Sequence, residues 1–289
     1  MLINPAKLLT HARAQGRALA AFNIYTLETL QAVAAAAARA GSPLLLQASP
    51  ATIIFAGADF LSAMARAAAK RWQLPVALHL DHAQDLDLIQ ECLEAGFTSV
   101  MYDGSRLPLS ENIANTRRVV EIAARYGAAV EGELGKISGP EEIAEYTDPD
   151  QARDFAAATG VDMLAVAVGT AHGLYQGEPH LDFDCLAEIA RSVSLPLVLH
   201  GGSGVPAPAI RRAIALGVAK VNIATELKIP YTRVLMEEMS TLASRGAASC
   251  DPRIYLTAAR EAVEKAAAAK VAMCWIQTAG KEHSHVHPQ

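Results

Sequence analysis

The stretch Pro75-Val76-Ala77-Leu78-His79-Leu80-Asp81-His82 enters from a proline as a short apolar run and ends in an acid and an imidazole. A continuous apolar run of this length reads as a strand buried on both faces, as in a parallel sheet, with chemistry at its carboxyl end. Adjacent strand residues point to opposite faces, so Asp81 and His82 share a site only if the strand stops there and the chain turns. Asp85, placed to cap the helix that follows, predicts such a turn. His79, three residues earlier and on the strand itself, reads as internal packing. An isolated Asp-His pair has a simpler reading, a turn acid beside a satisfied histidine, so the rest of the chain decides.

Apolar runs alternate with helical patterns along nearly all of the 289 residues, which predicts a parallel sheet with crossover helices. Eight runs read as strands: 18–23, 44–48, 76–80, 98–102, 128–133, 163–168, 195–200 and 219–223. Helical patterns at 27–40, 86–95 and 209–216 stop at Gly41, Gly96 and Gly217, as helices do where glycine takes the left-handed conformation. One further helix, 5–15, precedes the first strand, and two, 227–244 and 252–270, follow the eighth. Eight strand-helix units without a break in composition predict one closed (β/α)8 TIM barrel over 1–289, with extra helices at both ends. An open doubly wound sheet is the structural alternative. The polar segment 136–147, with Gly139, Pro140 and several glutamates, reads as a loop over a site.

Composition narrows the function classes. The net charge of -5 offers no electrostatic footprint for nucleic acid or an anionic membrane. The first 22 residues carry Arg13 and Arg17 but no apolar core of signal-peptide length, and no stretch approaches a spanning helix. A soluble cytoplasmic protein is expected. Cys92, Cys185, Cys250 and Cys274 form no Cys-x-x-Cys pair, and the three that sit in helical patterns read as small buried filler in a reducing compartment. The polar end 281–289 holds His283, His285 and His287 and reads as a frayed, flexible tail.

In a barrel of this kind chemistry gathers at the carboxyl ends of the strands. The first two strands end in Asn23 and in Gln47 with Ser49, and the third and fourth in Asp81-His82 and in Asp103 with Ser105. The fifth and sixth end in Glu131 with Glu133 and in Gly169-Thr170-Ala171-His172-Gly173. The last two end in His200-Gly201-Gly202-Ser203-Gly204 and Asn222-Ile223-Ala224-Thr225. Polar groups therefore collect on one rim, and the isolated-pair reading of Asp81-His82 loses its force. Neutral imidazoles from three strands, His82, His172 and His200, match a catalytic zinc site with a position left open. Gly201-Gly202-Ser203-Gly204 lets backbone amides approach an anion, and Asn222 and Thr225 add donors.

Asp81-His82, Gly169-Thr170-Ala171-His172-Gly173, Leu199-His200-Gly201-Gly202-Ser203-Gly204 and Lys220-Val221-Asn222-Ile223-Ala224-Thr225-Glu226-Leu227 together resemble the signatures of class II, zinc-dependent ketose-bisphosphate aldolases. The resemblance runs from about Ala21-Phe22-Asn23 to Asp251-Pro252-Arg253, and 222–227 is closer to the tagatose-bisphosphate branch than to the fructose-bisphosphate branch. It implies reversible cleavage of tagatose or fructose 1,6-bisphosphate between carbons 3 and 4, giving dihydroxyacetone phosphate and glyceraldehyde 3-phosphate.

By the same resemblance, zinc held by His82, His172 and His200 polarises the ketose carbonyl, with Asp103 and Glu133 as supporting or alternate ligands. Asp81 exchanges the carbon 4 hydroxyl proton, Glu141 the proton at carbon 3, and Asn222 orients the enediolate. The dihydroxyacetone phosphate half rests on Gly173, Gly201, Gly202, Ser203 and Thr225, with a monovalent cation, sodium or potassium, nearby. Asn23 and Ser49 contact substrate, and Arg253 meets the other phosphate, in this subunit or in a neighbouring one. The resemblance further implies a homodimer or homotetramer and allows a companion subunit. Two departures stand out: the loop Ser138-Gly139-Pro140-Glu141-Glu142 is shorter than the family's, and Ala83-Gln84 follows Asp-His where the tagatose branch commonly has a second histidine.

Three rivals remain at this level. A Schiff-base aldolase on Lys220 leaves the rim histidines without a use. A non-catalytic companion on the same barrel is expected to have lost ligands that are present here. A third reading keeps the mechanism and changes the substrate, for instance to a deoxy-ketogluconate phosphate. Metal-dependent hydrolases of the amidohydrolase type fit neither the histidine spacing nor the strand.

Overall fold

The computed structural model describes residues 2–137, 145–173, 175, 177, 179–244 and 251–275. An opening helix, α1 (Ala6–Ala14), leads into β1 (Leu19–Asn23), α2 (Leu27–Arg39) and β2 (Leu44–Ala48). Two helices, α3 (Pro50–Ala56) and α4 (Ala58–Trp72), precede β3 (Val76–Ala83). The chain then alternates through α5 (Leu86–Ala95), β4 (Ser99–Tyr102), α6 (Leu109–Ala124), β5 (Ala129–Leu134), α7 (Pro149–Thr159), β6 (Met163–Val166), α8 (Phe183–Ser192), β7 (Leu197–Leu199), α9 (Ala207–Ala215) and β8 (Val218–Ile223). It finishes with α10 (Thr225–Ser244) and α11 (Pro252–Trp275). The strands close in sequence order into one parallel barrel, β1 pairing with both β2 and β8. Among the described residues no single helix is long and apolar enough to cross a membrane.

Local chemistry sets the ends of these elements. Thr26 and Thr29 form a reciprocal capping box at the start of α2. Asp85 accepts the Asp87 amide at 2.9 Å to cap α5, which Gly96 ends at φ +94. Outside the strands, helices turn small buried side chains to the core. In α2 these are Ala32, Val33, Ala36 and Ala37, whose size lets the helix pack closely.

The barrel interior is stratified along its axis. At the amino-terminal end Leu9 of α1 packs with Leu19, Ala129, Met163, Ala165, Val198 and Ala219, so α1 plugs the floor. Above it Ala21, Leu45 and Ala77 form a second apolar group. Higher still, fully buried His79, Ser99, Glu131 and Lys220 make a polar group. Taken together, the barrel interior thus changes from apolar at its amino-terminal end to polar higher up, which places the chemistry on one rim.

Two expectations need correction. The third strand does not stop at Asp81-His82 but runs on to Ala83. Its register against β4 slips between Leu80, opposite Val100, and Ala83, opposite Tyr102, so two residues face Met101 alone. This is a bulge, and a bulge re-aims side chains without ending the strand. The seventh strand is shorter than expected, three residues, because Leu195 and Pro196 precede its ladder and His200 has already entered the turn that follows.

Candidate active site

The bulge in β3 builds the centre of the site. His82 sits at φ +53, a left-handed conformation that costs a non-glycine residue roughly 1–2 kcal/mol and that collects at functional sites. Its amide donates to Met101 Sδ at 3.4 Å. The extra residue lets Asp81 keep its inward direction while His82 also turns toward the mouth. The alternation that keeps neighbours on opposite faces is broken at the one place where both are needed.

Three imidazoles converge there. His82 Nε2 lies 2.8 Å from His200 Nδ1, and the His172 ring centroid is 5.0 Å from that of His82 and 6.0 Å from that of His200. One nitrogen from each falls within 4.8 Å of the others. The nitrogens facing away are held by carboxylates: His82 Nδ1 lies 2.9 Å from Asp103 Oδ2, and His200 Nε2 lies 2.8 Å from Glu131 Oε1. Asp103 is fixed in turn by the Ser105 hydroxyl and amide, at 2.6 and 3.2 Å. Carboxylates behind the rings orient histidines that bind metals.

Electrostatics agree with a cation at this point. Burial, reinforced by His82, pulls His172 down to about 4 and holds His200 well below the usual imidazole range, so both rings present neutral nitrogens. Burial opposes a charge on His82 as well, but Asp81, Asp103 and Glu133 outweigh it and raise that group to about 10. Glu133 is pushed well above the carboxyl range by burial and by Asp103. Its Oε2 has no hydrogen-bond partner among the described residues and lies 3.8 Å from His82 Nδ1 and 3.9 Å from His200 Nδ1. Three imidazole nitrogens beside an orphaned carboxyl oxygen form a donor set that fits a borderline divalent cation such as zinc.

Beside this cluster Asp81 is held by amides. Asn23 Nδ2 donates to Oδ2 at 2.9 Å, Gln47 Nε2 reaches the same oxygen at 3.4 Å while donating to Asn23 Oδ1 at 2.8 Å, and Asn222 Nδ2 donates to Oδ1 at 3.2 Å. Burial alone raises a carboxyl pKa, but His82, His200 and Lys220 outweigh it and hold Asp81 below its ordinary value. Asp81 therefore stands as a fixed carboxylate, able to accept a proton from a hydroxyl placed against it.

The same pocket has a second wall of backbone and hydroxyl donors, including Gly173, Gly201, Ser203 and Thr225. Tyr175 ties two of its loops together, accepting the Ala171 amide and donating to the Gly201 carbonyl, each at 2.9 Å. Ser203 Oγ accepts the amides of Ala224 and Glu226 at 3.2 and 3.4 Å, joining the glycine turn to the start of α10. Glycine is required at 201: φ is +62, and a Cβ there would collide with the Ala171 carbonyl oxygen.

Asn23, Ser49, Asp81, His82, His172 and Asn222 line the pocket with these residues. Two sequence-derived candidates do not line this chain's own pocket. Gly202 is turned into the barrel wall, where a Cβ would meet Val221 Cγ1 at 2.6 Å and the Asn222 carbonyl oxygen at 2.9 Å. Arg253 is exposed and makes paired contacts with the Asp251 carboxylate, at 2.6 to 3.0 Å, away from the pocket lining. Glu141, Cys250, and the tail with His283, His285 and His287 lie outside the described residues. Sequence reasoning did not assign a role to Tyr25 and Lys228, which line the pocket, or to Glu131 behind His200. Tyr25 had a positional signal, two residues past the end of β1, and Lys228 lies one turn beyond Thr225.

Comparison with known proteins agrees with this geometry. The family model described as "Fructose-bisphosphate aldolase class-II" matches residues 3–281. The chain is 45% identical over 280 residues to the D-tagatose-1,6-bisphosphate aldolase subunit GatY of Klebsiella oxytoca, covering 94% of this chain and 97% of that one. Among solved structures, the YdjI aldolase of Escherichia coli K12 superposes with a TM-score of 0.85 at 33% identity, covering 96% of this chain and 99% of that one. The fructose-bisphosphate aldolase of Campylobacter jejuni shares the fold with a TM-score of 0.82 at 24% identity, over 94% of this chain and 95% of that one. With a family match over nearly its whole length and the histidine cluster, fixed aspartate and glycine turn on one rim, the chain belongs to the class II fructose-bisphosphate aldolase family.

Proposed function

We propose that the protein is a zinc-dependent aldolase that reversibly cleaves a ketose 1,6-bisphosphate to dihydroxyacetone phosphate and glyceraldehyde 3-phosphate, with tagatose 1,6-bisphosphate favoured over fructose 1,6-bisphosphate. The observation that carries the reading is Asp81, held by Asn23, Gln47 and Asn222 beside the imidazoles of His82, His172 and His200. The preference for tagatose rests on the 45% identity to the GatY subunit.

His82, His172 and His200 would hold the zinc, with Glu133 and Asp103 beside them, and the bound metal supplies Lewis acidity at the substrate carbonyl. The remaining steps belong to the chain. Gly173, Gly201, Ser203 and Thr225 seat the phosphate of the dihydroxyacetone half, a monovalent cation completing that end. Asp81 takes the carbon 4 hydroxyl proton as the bond between carbons 3 and 4 breaks, the electron pair staying with carbon 3. Asn222, donating to Asp81 and 3.3 Å from His200 Nε2, orients the oxygens of the resulting enediolate. Glu141 then delivers a proton to carbon 3, and the product leaves as dihydroxyacetone phosphate. The reading extends to a cytoplasmic homodimer or homotetramer, with a companion subunit supporting full activity.

The test is a retro-aldol assay of zinc-loaded protein on tagatose and fructose 1,6-bisphosphate, with and without chelator, coupled to detection of dihydroxyacetone phosphate. Cleavage that chelation abolishes and zinc restores is the expected result, and the ratio of rates chooses the branch. Zinc-loaded protein that cleaves neither sugar, while cleaving a deoxy-ketogluconate phosphate, sinks the bisphosphate assignment.

A further inference from the structure

The turns that follow β6 and β7 meet at one phenol. Tyr175 Oη accepts the Ala171 amide and donates to the Gly201 carbonyl, each at 2.9 Å. Ala171 precedes His172 and Gly201 follows His200, so each bond lies one residue from an imidazole of the cluster. The same two turns supply Gly173, Gly201 and Ser203 to the pocket wall. Their backbones are in close contact: a Cβ at Gly201 would lie 2.4 Å from the Ala171 carbonyl oxygen, and one at Gly204 would meet Tyr175 Cδ2 at 3.1 Å. The Tyr175 ring also packs against the hydrophobic core, and burial pushes its phenol up, so it keeps the proton that it gives to Gly201. From Gly201 the connection continues through the Gly202 amide, which donates to the Asn222 carbonyl at 3.2 Å, and through Ser203 to the start of α10.

We propose that Tyr175 is a positioning residue that couples the two halves of the site, so that a phosphate dianion in the glycine cradle tightens zinc at the histidines and zinc tightens phosphate. The inference rests on the zinc and phosphate assignments above and adds the group that links them. Each ligand needs the same two turns in place. Zinc orders them through His172 and His200, and phosphate through Gly173 and Gly201. Where the Tyr175 hydroxyl makes the turns one unit, the entropy of ordering them is lost once, and the second ligand meets turns already fixed. Phenylalanine at 175 keeps the ring beside Gly204 but leaves the Ala171 amide and the Gly201 carbonyl without this partner, so the turns settle separately. Direct attraction between the cation and the dianion is common to both proteins and cancels when they are compared.

The experiment measures the zinc affinity of wild type and Tyr175→Phe by competition with a chromophoric chelator at buffered free zinc, with and without saturating inorganic phosphate. In wild type, phosphate is expected to tighten zinc about tenfold or more, within the usual range of coupling between two sites. In Tyr175→Phe that factor is expected to fall about fivefold or more. Calorimetric titration of phosphate into zinc-free and zinc-loaded protein must return the same factors, because coupling is reciprocal. A substitution that only loosens the fold lowers both zinc affinities and leaves their ratio alone. Equal factors in the two proteins overturn the proposal, as does wild type whose zinc affinity phosphate leaves unchanged. Retro-aldol activity of the same wild-type preparation separates the two readings: coupling without cleavage refutes the aldolase reading and upholds the role of Tyr175, and cleavage without coupling does the reverse.

Discussion

Lys220 Nζ lies 2.7 Å from Glu131 Oε2 in the closed interior of the barrel, while the other oxygen of the same carboxylate meets His200 Nε2 at 2.8 Å. Both side chains of the pair are inaccessible to solvent, and Lys220 is absent from the pocket lining. The ion pair is thus the floor of the site: Lys220 balances the charge on Glu131, and Glu131 fixes the ring of His200. Lys220 is spent on this contact and has no path to a substrate carbonyl, which argues against a Schiff base.

Breaking this pair from one side leaves a charge buried without its partner. Lys220→Met or Glu131→Gln is expected to lower unfolding stability by about 3–5 kcal/mol, the usual cost of an uncompensated buried charge. The double variant loses less than the two single losses combined, because neither charge is then stranded. Denaturant unfolding of metal-free protein measures all four corners of the cycle. Additive losses mean that the two groups do not interact as the 2.7 Å contact requires. Borohydride treatment in the presence of substrate is expected to leave Lys220 unmodified by mass spectrometry.

Asp103 does for His82 what Glu131 does for His200, but from a half-buried position that the fold can lose more cheaply. Asp103→Asn is expected to weaken zinc binding about 10–100-fold, the usual range for the partner behind a metal-binding histidine. Thermal unfolding of the metal-free protein should move little. Competition with a chromophoric chelator reads the affinity directly, and an unchanged dissociation constant would remove Asp103 from any role in orienting His82.

The cysteines give a prediction that is independent of catalysis. Burial pushes the thiols of Cys92 and Cys274 up to about 12, with Glu91 adding to the effect at Cys92 and Lys270 partly opposing it at Cys274. A thiol in that state holds almost no thiolate near neutral pH and does not react. Iodoacetamide at mildly alkaline pH should leave both unmodified in native protein and alkylate both in denaturant, as peptide mass spectrometry can show. Alkylation of either in the native state means that the helix bearing it opens far more often than this packing allows.

The fold was legible because eight apolar runs and their glycine-stopped helices are local signals, and β2 and α5 fall on the expected residues. The rim was legible for a related reason: strand ends are where side chains of one polarity give way to another. What the sequence did not reveal depends on register and distance. The bulge at Asp81-His82 is a slip of β3 against β4, and nothing in either strand alone announces a two-to-one pairing. Glu131 and Lys220 lie 89 residues apart, so their contact exists only once the barrel closes. Lys228 resembles any lysine on an exposed helix until Tyr25, on the neighbouring strand's loop, is placed beneath its ammonium.

Gly201 and Gly160 separate two effects that a glycine substitution usually confounds. Both have positive φ, +62 and +72, so alanine at either is strained, by roughly 1–2 kcal/mol. At Gly160, the cap of α7, a Cβ meets nothing within 4 Å, and Gly160→Ala should cost stability alone. At Gly201 the added Cβ runs into the Ala171 carbonyl, which belongs to the loop that carries His172 and Gly173. That backbone has to move, and the phosphate cradle between the two loops opens with it. Gly201→Ala is therefore expected to raise KM for the bisphosphate by about tenfold, the size of one lost charged hydrogen bond, beyond its effect on melting temperature. Gly160→Ala lowers the melting temperature with KM unchanged. Equal kinetic behaviour of the two variants at matched stability would mean that the turn after β7 does not form the anion site.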